Sequence, residues 1–305
     1  MNPHLRIFLS STFSDFERER RAIQDVALPR LQDHFGAMGV RYDLIDLRWG
    51  ITEQAQQSSD TMRICLEEIR RCQRLSPRPN FVLLLGDRYG WQPLPSLIPA
   101  SHWKWLMAFS GRSEQKLIKS RYRGPDRNVV PAVYRLDAYD GKRTPQHEEN
   151  ISVLNALRAA ADYAGLSHWD RLPYFASATH QEIALGALDQ ALVPNPEEHV
   201  RVYMRNLCGD LTKPEMRHFV DWDYDLGERD HYATNALEGL RKEIMRRLGG
   251  AVRVYEDKPE GGSVSDSYID TFLEDFIEDQ LAIGEKQIAL LRRQSSLQTG
   301  TSNAS

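Results

Sequence analysis

Apolar residues in the first 90 positions gather in three short runs, Leu5–Leu9, Tyr42–Leu47 and Phe81–Leu85, separated by stretches where they recur every three or four residues. Short runs read as strands, and the recurrence reads as amphipathic helices. Phe16, Ile23, Ala27, Leu31 and Phe35 set the core face of the first helix, with Ser14-x-x-Glu17 as a capping box at its start and Gly36 and Gly39 at its end. Asp60 is placed to cap a second helix whose stripe is Met62, Cys65, Ile69 and Cys72. Phe81–Leu85 has no polar alternation, which marks a strand covered on both faces. Strands and helices alternating with crossovers of this length predict a parallel sheet wound right-handedly, with helices on both faces.

The pattern breaks at 92–176, a Pro- and Trp-rich insertion with a candidate strand at Val129–Leu136. It also holds a helix signposted by Thr144 as cap, Pro145 at its first position and Gly165 past its end. A short helix around Glu182 follows, then strands at Val200–Met204 and Ala251–Tyr255 flanking a helix at about 232–248. The expected organisation is an α/β domain over 1–260, a Gly/Ser joint and amphipathic helix over 261–294, and a disordered tail over 295–305.

The chain has 305 residues, 41% hydrophobic and 27% charged, enough to bury a full core. A formal net charge of −4 offers no global attraction to nucleic acid or an anionic membrane, so such binding would need a local basic patch. The run Arg112, Lys116, Lys119, Arg121, Arg123 and Arg127 reads as a solvated loop, with partner or nucleic-acid contact as the alternative. Nucleic acid is therefore not the expected partner. No apolar run approaches the ~20 residues of a membrane span, and Met1-Asn2-Pro3-His4 opens no signal core, which makes a cytoplasmic protein the expectation. Cys65, Cys72 and Cys208 share no metal-ligand spacing with the histidines, so no metal is expected, and Cys65 and Cys72, seven apart on one helix face, read as small core residues.

In an open parallel sheet, ligands bind beyond the carboxyl ends of the strands. Three polar segments leave from such ends. Ser10, Ser11 and Thr12 offer hydroxyls and amides for a phosphate, or simply cap the next helix. Arg48 and Trp49 pair a cation with a flat ring, a clamp for a phosphate and a base or else a cover for the sheet edge. Gly86-Asp87-Arg88-Tyr89-Gly90-Trp91 adds two glycines that permit close backbone approach, with Tyr89 and Trp91 as candidate contacts. Glu182 is the candidate catalytic acid, and Thr179-x-x-Glu182 also reads as a capping box. No GxGxxG or GxxxxGK[ST] pattern is present.

The stretches RIFLSSTFSDFERER (6–20), IDLRWGITE (45–53), RICLEEIRRC (63–72), FVLLLGDRYGW (81–91), THQEI (179–183) and VYMRN (202–206) resemble the TIR-like leader domain of NACHT-type and related STAND NTPases that carry TPR or WD40 repeats. More distantly the chain is similar to TIR domains. The resemblance implies a flavodoxin-like α/β fold with a large insertion before the Glu182 helix. It also implies a role for Glu182 as the carboxylate that cleaves the nicotinamide–ribose bond of NAD+, bound as substrate with no cofactor. Self-assembly and a linked NTPase module are the partners implied. The aromatic that precedes the glutamate in TIR enzymes is absent here, where 178 is Ala and 179 is Thr. A non-catalytic interaction domain is the alternative.

Overall fold

A computed structural model describes residues 3–48, 61–76, 78–137 and 147–302. The chain divides into two compact units, one made of 1–49, 67–90 and 182–305, the other of 50–66 and 91–181.

The first unit is built on five parallel strands, here β1 (His4–Ser10), β2 (Arg41–Ile45), β3 (Phe81–Leu85), β4 (Val200–Leu207) and β5 (Val252–Asp257). Their spatial order is β5-β4-β3-β1-β2. Read from the other edge this is 2-1-3-4-5, the flavodoxin-like winding, in which the strand order reverses between β1 and β3. Every residue of β3 is buried, as its unbroken apolar run requires.

Ile7 and Leu9 of β1, Val82 and Leu84 of β3 and Tyr203 of β4 face a core completed by Phe16, Ile23, Leu31 and Phe35. Phe16 stands just before a continuous helical segment that carries the other three, passing from Glu17–Ala22 through a π-helical stretch, Ile23–Ala27, into Leu28–Ala37. Its expected capping box does not form. The helix begins at Glu17 with no side-chain cap, and the Ser14 hydroxyl is taken by Arg88. The C-terminal helix runs Asp266–Ser302, beyond the expected end at 294 and through most of the expected tail. It packs on its own unit. Phe272, Phe276 and Ile288 are buried in the same core, and Gly284 lies so close to Phe35 that a Cβ would collide with the ring.

The second unit has its own core, in which Ile98, Trp103, Leu106, Ile118, Val153, Leu157 and Tyr174 interlock. A small antiparallel sheet of Leu97–Pro99, Val133–Leu136 and Tyr122–Asp126 joins the helices Ala100–Phe109, Arg112–Arg121, His147–Tyr163 and His168–Phe175. The expected strand thus begins at Val133 rather than Val129. Gly165 follows the His147–Tyr163 helix at φ 61°, a conformation glycine adopts without strain. The expected caps Asp60 and Thr144, and Pro145 at the expected first helical position, lie outside the described residues.

Candidate functional site

Three candidate side chains from distant segments, Ser10, Arg48 and Glu182, meet at the carboxyl ends of β1 and β2. Ser10 ends β1, and its hydroxyl donates to Glu182 Oε2 at 2.6 Å. Arg48 lies just past β2, held by a turn in which its amide donates to Asp46 Oδ1 at 2.9 Å. Its Nη2 donates to Glu182 Oε1 at 2.9 Å and Oε2 at 3.0 Å. Glu182 comes from the helix Ala178–Ile183, which continues as a π-helical turn, Ala184–Leu188. That turn can lie flat on β3 because residue 186 is glycine, whose missing Cβ leaves room for the Phe81 ring. Thr179 does not form the helix cap that spacing suggested. Ser177 Oγ accepts from the His180 amide at 3.2 Å, so Glu182 falls inside the helix with its carboxylate directed to Ser10 and Arg48.

Segments that leave the carboxyl ends of a parallel sheet share one side, which would bring Ser10, Arg48 and Gly86 to one site with Glu182. Ser10 and Arg48 do converge on it, but the carboxylate is 0% exposed and its two oxygens are engaged. Gly86 has different company. A Cβ there would come within 3.0–3.2 Å of Asp15, Phe16 and Arg205.

Behind the cluster the charges alternate. Arg20 Nε lies 3.6 Å from Asp46 Oδ2, Asp46 holds the Arg48 turn, and Arg48 holds Glu182. Two cations and two carboxylates in a poorly hydrated place neutralise one another, which burial of such groups requires. Burial pushes the Asp46 carboxyl upward against the opposing pull of Arg20, and burial lowers the Arg20 guanidinium. Arg20 also shapes the loop after β1, donating to Ser11 Oγ at 3.2 Å, to the Thr12 carbonyl at 2.9 Å and to the Phe13 carbonyl at 2.6 Å. Ser11 and Thr12 are thereby held by an internal cation and buried.

The loop after β3 is closed in the same manner by an internal anion. Asp221 accepts from the Tyr89 amide at 2.5 Å and from the Gly90 amide at 3.2 Å. These are N–H groups at a strand's carboxyl end, where an external anion would bind in a nucleotide fold. Burial raises the Asp221 carboxyl, and Arg88, 3.6 Å away, opposes the rise. Gly90 has φ 89°, and a Cβ there would meet the Thr12 methyl at 2.8 Å. Tyr89 is buried in the first unit. Trp91 belongs to the second, where its carbonyl accepts from the Ala178 amide at 2.8 Å. Trp49 lies outside the described residues.

Arg205 escaped the sequence reading. It projects from β4 with no exposure, ion-paired to Glu19 and donating to the Asp15 carbonyl at 2.9 Å. Its guanidinium sits 4.4 Å from the Phe16 ring centroid and 5.1 Å from that of Phe219. The signal was an arginine within the apolar run VRVYMRNL, in register with inward-facing Tyr203. Asp15, Glu19, Arg20, Asp46 and Asp221 were missed because each looks like an ordinary surface charge next to a turn.

The winding order and the polar cluster at the carboxyl ends of β1 and β2 define the first unit as a flavodoxin-like α/β domain of the TIR-like kind. Residues 6–120 match the family described as Domain of unknown function (DUF4062), and the chain carries that domain. It is 32% identical over 250 residues to the mouse NACHT domain- and WD repeat-containing protein 1, covering 78% of this chain and 15% of that protein. A Dictyostelium discoideum TPR repeat-containing protein is 32% identical over 241 residues, covering 78% of this chain and 13% of its own length. Rat telomerase protein component 1 is 37% identical over 112 residues, 36% of this chain and 4% of that protein. The chain thus spans a small part of these relatives and corresponds to a domain associated with NACHT proteins. No solved structure gives a significant match. Among the described residues no helix is long and apolar enough to cross a membrane.

Proposed function

We propose that this domain is the effector of a NACHT-type protein and that Ser10, Arg48 and Glu182 form its centre for cleaving the nicotinamide–ribose bond of NAD+. One observation carries the reading. A carboxylate, a hydroxyl and a guanidinium from three distant segments converge at the carboxyl ends of β1 and β2, beside the point where the strand order reverses. In the resting arrangement Arg48 occupies Glu182. Assembly of the parent protein frees the carboxylate, and Arg48 turns to the diphosphate of the bound dinucleotide. The electron pair of the C1′–N bond then leaves with nicotinamide, neutralising its ring nitrogen. Glu182 stabilises the oxocarbenium-like ribose, and water adds at C1′ and loses a proton, giving ADP-ribose. A linked NTPase module supplies the trigger.

A second reading has its own support, since a carboxylate with no exposure and satisfied oxygens is also what a structural strut looks like. The domain would then act as a non-catalytic signalling contact. The two separate in one experiment. The chain is fused to an inert oligomeric scaffold and incubated with NAD+, and nicotinamide release is followed for the native sequence and for Glu182→Gln, with circular dichroism confirming that both are folded. The catalytic reading expects release by the native fusion and a loss of about a hundredfold or more in the variant. No release from the folded native fusion refutes it in favour of the contact module.

A further inference from the structure

The second unit carries an exposed aromatic row beside an unpaired basic stripe. Trp105 and Phe109, one turn apart on the Ala100–Phe109 helix, are 48% and 46% exposed, and Tyr163 at the end of the His147–Tyr163 helix is 74% exposed. The rings follow one another: Trp105 to Phe109 is 6.3 Å between centroids with planes 18° apart, and Phe109 to Tyr163 is again 6.3 Å. Lys104 Nζ stands 6.0 Å from the Trp105 ring. The next helix, Arg112–Arg121, starts three residues after Phe109 and is pinned to the end of the aromatic helix by Gln115, whose amide donates to the carbonyls of Met107 at 2.8 Å and Ser110 at 3.1 Å. Its outer face is a shallow groove lined by Arg112, Gln115, Lys116, Lys119 and Ser120. Arg112, Lys116 and Lys119 are spaced i, i+4, i+7, one above the next, and among the described residues none is paired with an acid. The helix's one acid, Glu114, is turned aside to Ser113.

A row of cations tracks a phosphate backbone, and adjacent ring faces stack on unpaired bases; together they make a surface for single strands. An interfacial membrane helix carries its aromatics and its cations on opposite faces of one helix, whereas here Trp105 and Phe109 stand on Ala100–Phe109 and the cation stripe on Arg112–Arg121. An acidic peptide would use the lysines and leave the rings unexplained. We propose that this face binds single-stranded nucleic acid, with Arg112, Lys116 and Lys119 on the phosphates and Trp105, Phe109 and Tyr163 under the bases. The overall charge of −4 gave no such indication, because the cations matter by their placement on one helix face.

The test is fluorescence anisotropy of the full chain with a fluorescein-labelled oligothymidylate. Expected is binding that weakens with salt, log affinity falling against log salt with a slope of about −2, as three neutralised phosphates of a single strand require. Lys116→Glu/Lys119→Glu should abolish binding, Trp105→Ala should weaken it about tenfold, and Trp105→Phe should restore most of it. All three changes are on exposed positions, and circular dichroism checks that each variant is folded. No binding by the native chain overturns the proposal. So does equal binding by Trp105→Ala, which would reveal attraction to any polyanion, and so does binding of polyglutamate or anionic vesicles in preference to the oligonucleotide.

Discussion

The Arg48 guanidinium and the Glu182 carboxylate, 134 residues apart in sequence, meet at 2.9 Å where neither is open to solvent. Removing one member leaves the other buried with its charge uncompensated. Arg48→Met is expected to cost about 3–5 kcal/mol, while Arg48→Met/Glu182→Leu should recover a substantial part of that loss. Urea unfolding of the two variants checks this, and a double variant no more stable than the single one would contradict the coupling.

His180, two residues before Glu182, is held by burial well below the usual histidine range, at about 4. Its folded value is depressed, so it contributes stability that is present above the unfolded value near 6.5 and is lost as pH falls through the folded value. Between pH ~7 and ~4 the chain should lose up to about 3 kcal/mol on this account. The check compares the pH dependence of unfolding free energy in the native chain and His180→Gln. Identical slopes in the two would show that His180 is not the group responsible.

Gly186 admits the Phe81 ring against its own backbone. Gly186→Ala therefore overpacks the contact between the Glu182 helix and β3, with an expected loss of about 1–3 kcal/mol or more. Phe81→Leu in the same chain should relieve part of it. Melting temperatures of the two single variants and the double variant measure the interaction, and strictly additive effects would count against a direct clash.

Phe276 of the C-terminal helix is fully buried against the sheet, 5.4 Å from Tyr203 between ring centroids. Phe276→Ala should destabilise the first unit by about 3–5 kcal/mol. A helix that contributed nothing to the core would tolerate the change, so an unfolding midpoint equal to the native one would contradict this packing.

Asp221 closes the loop after β3 from within. Asp221→Ala removes the acceptor for two backbone amides, and hydrogen exchange at Tyr89 and Gly90 should accelerate by tenfold or more relative to the native chain. Unchanged protection there would mean that the backbone alone maintains the loop.

Much of this domain was decided locally and was therefore legible in the chain. The runs Leu5–Leu9 and Phe81–Leu85 became β1 and the fully buried β3, and the stripe Ile23, Leu31 and Phe35 became the core face of a helix. These depend on residue spacing alone. The motifs at Ser10, Arg48 and Glu182 also named residues that do come together, because loops at strand carboxyl ends in a parallel sheet share one side. What the chain could not decide was how those residues pair. Burial of Glu182, its capture by Arg48, closure of the β3 loop by Asp221 and the seat of Arg205 against Phe16 all join segments more than a hundred residues apart. A charge in a sequence carries no mark of whether water or an opposite charge will face it. Only the packed fold, by excluding water and bringing its partner within hydrogen-bond distance, makes Glu182 the buried end of an ion pair.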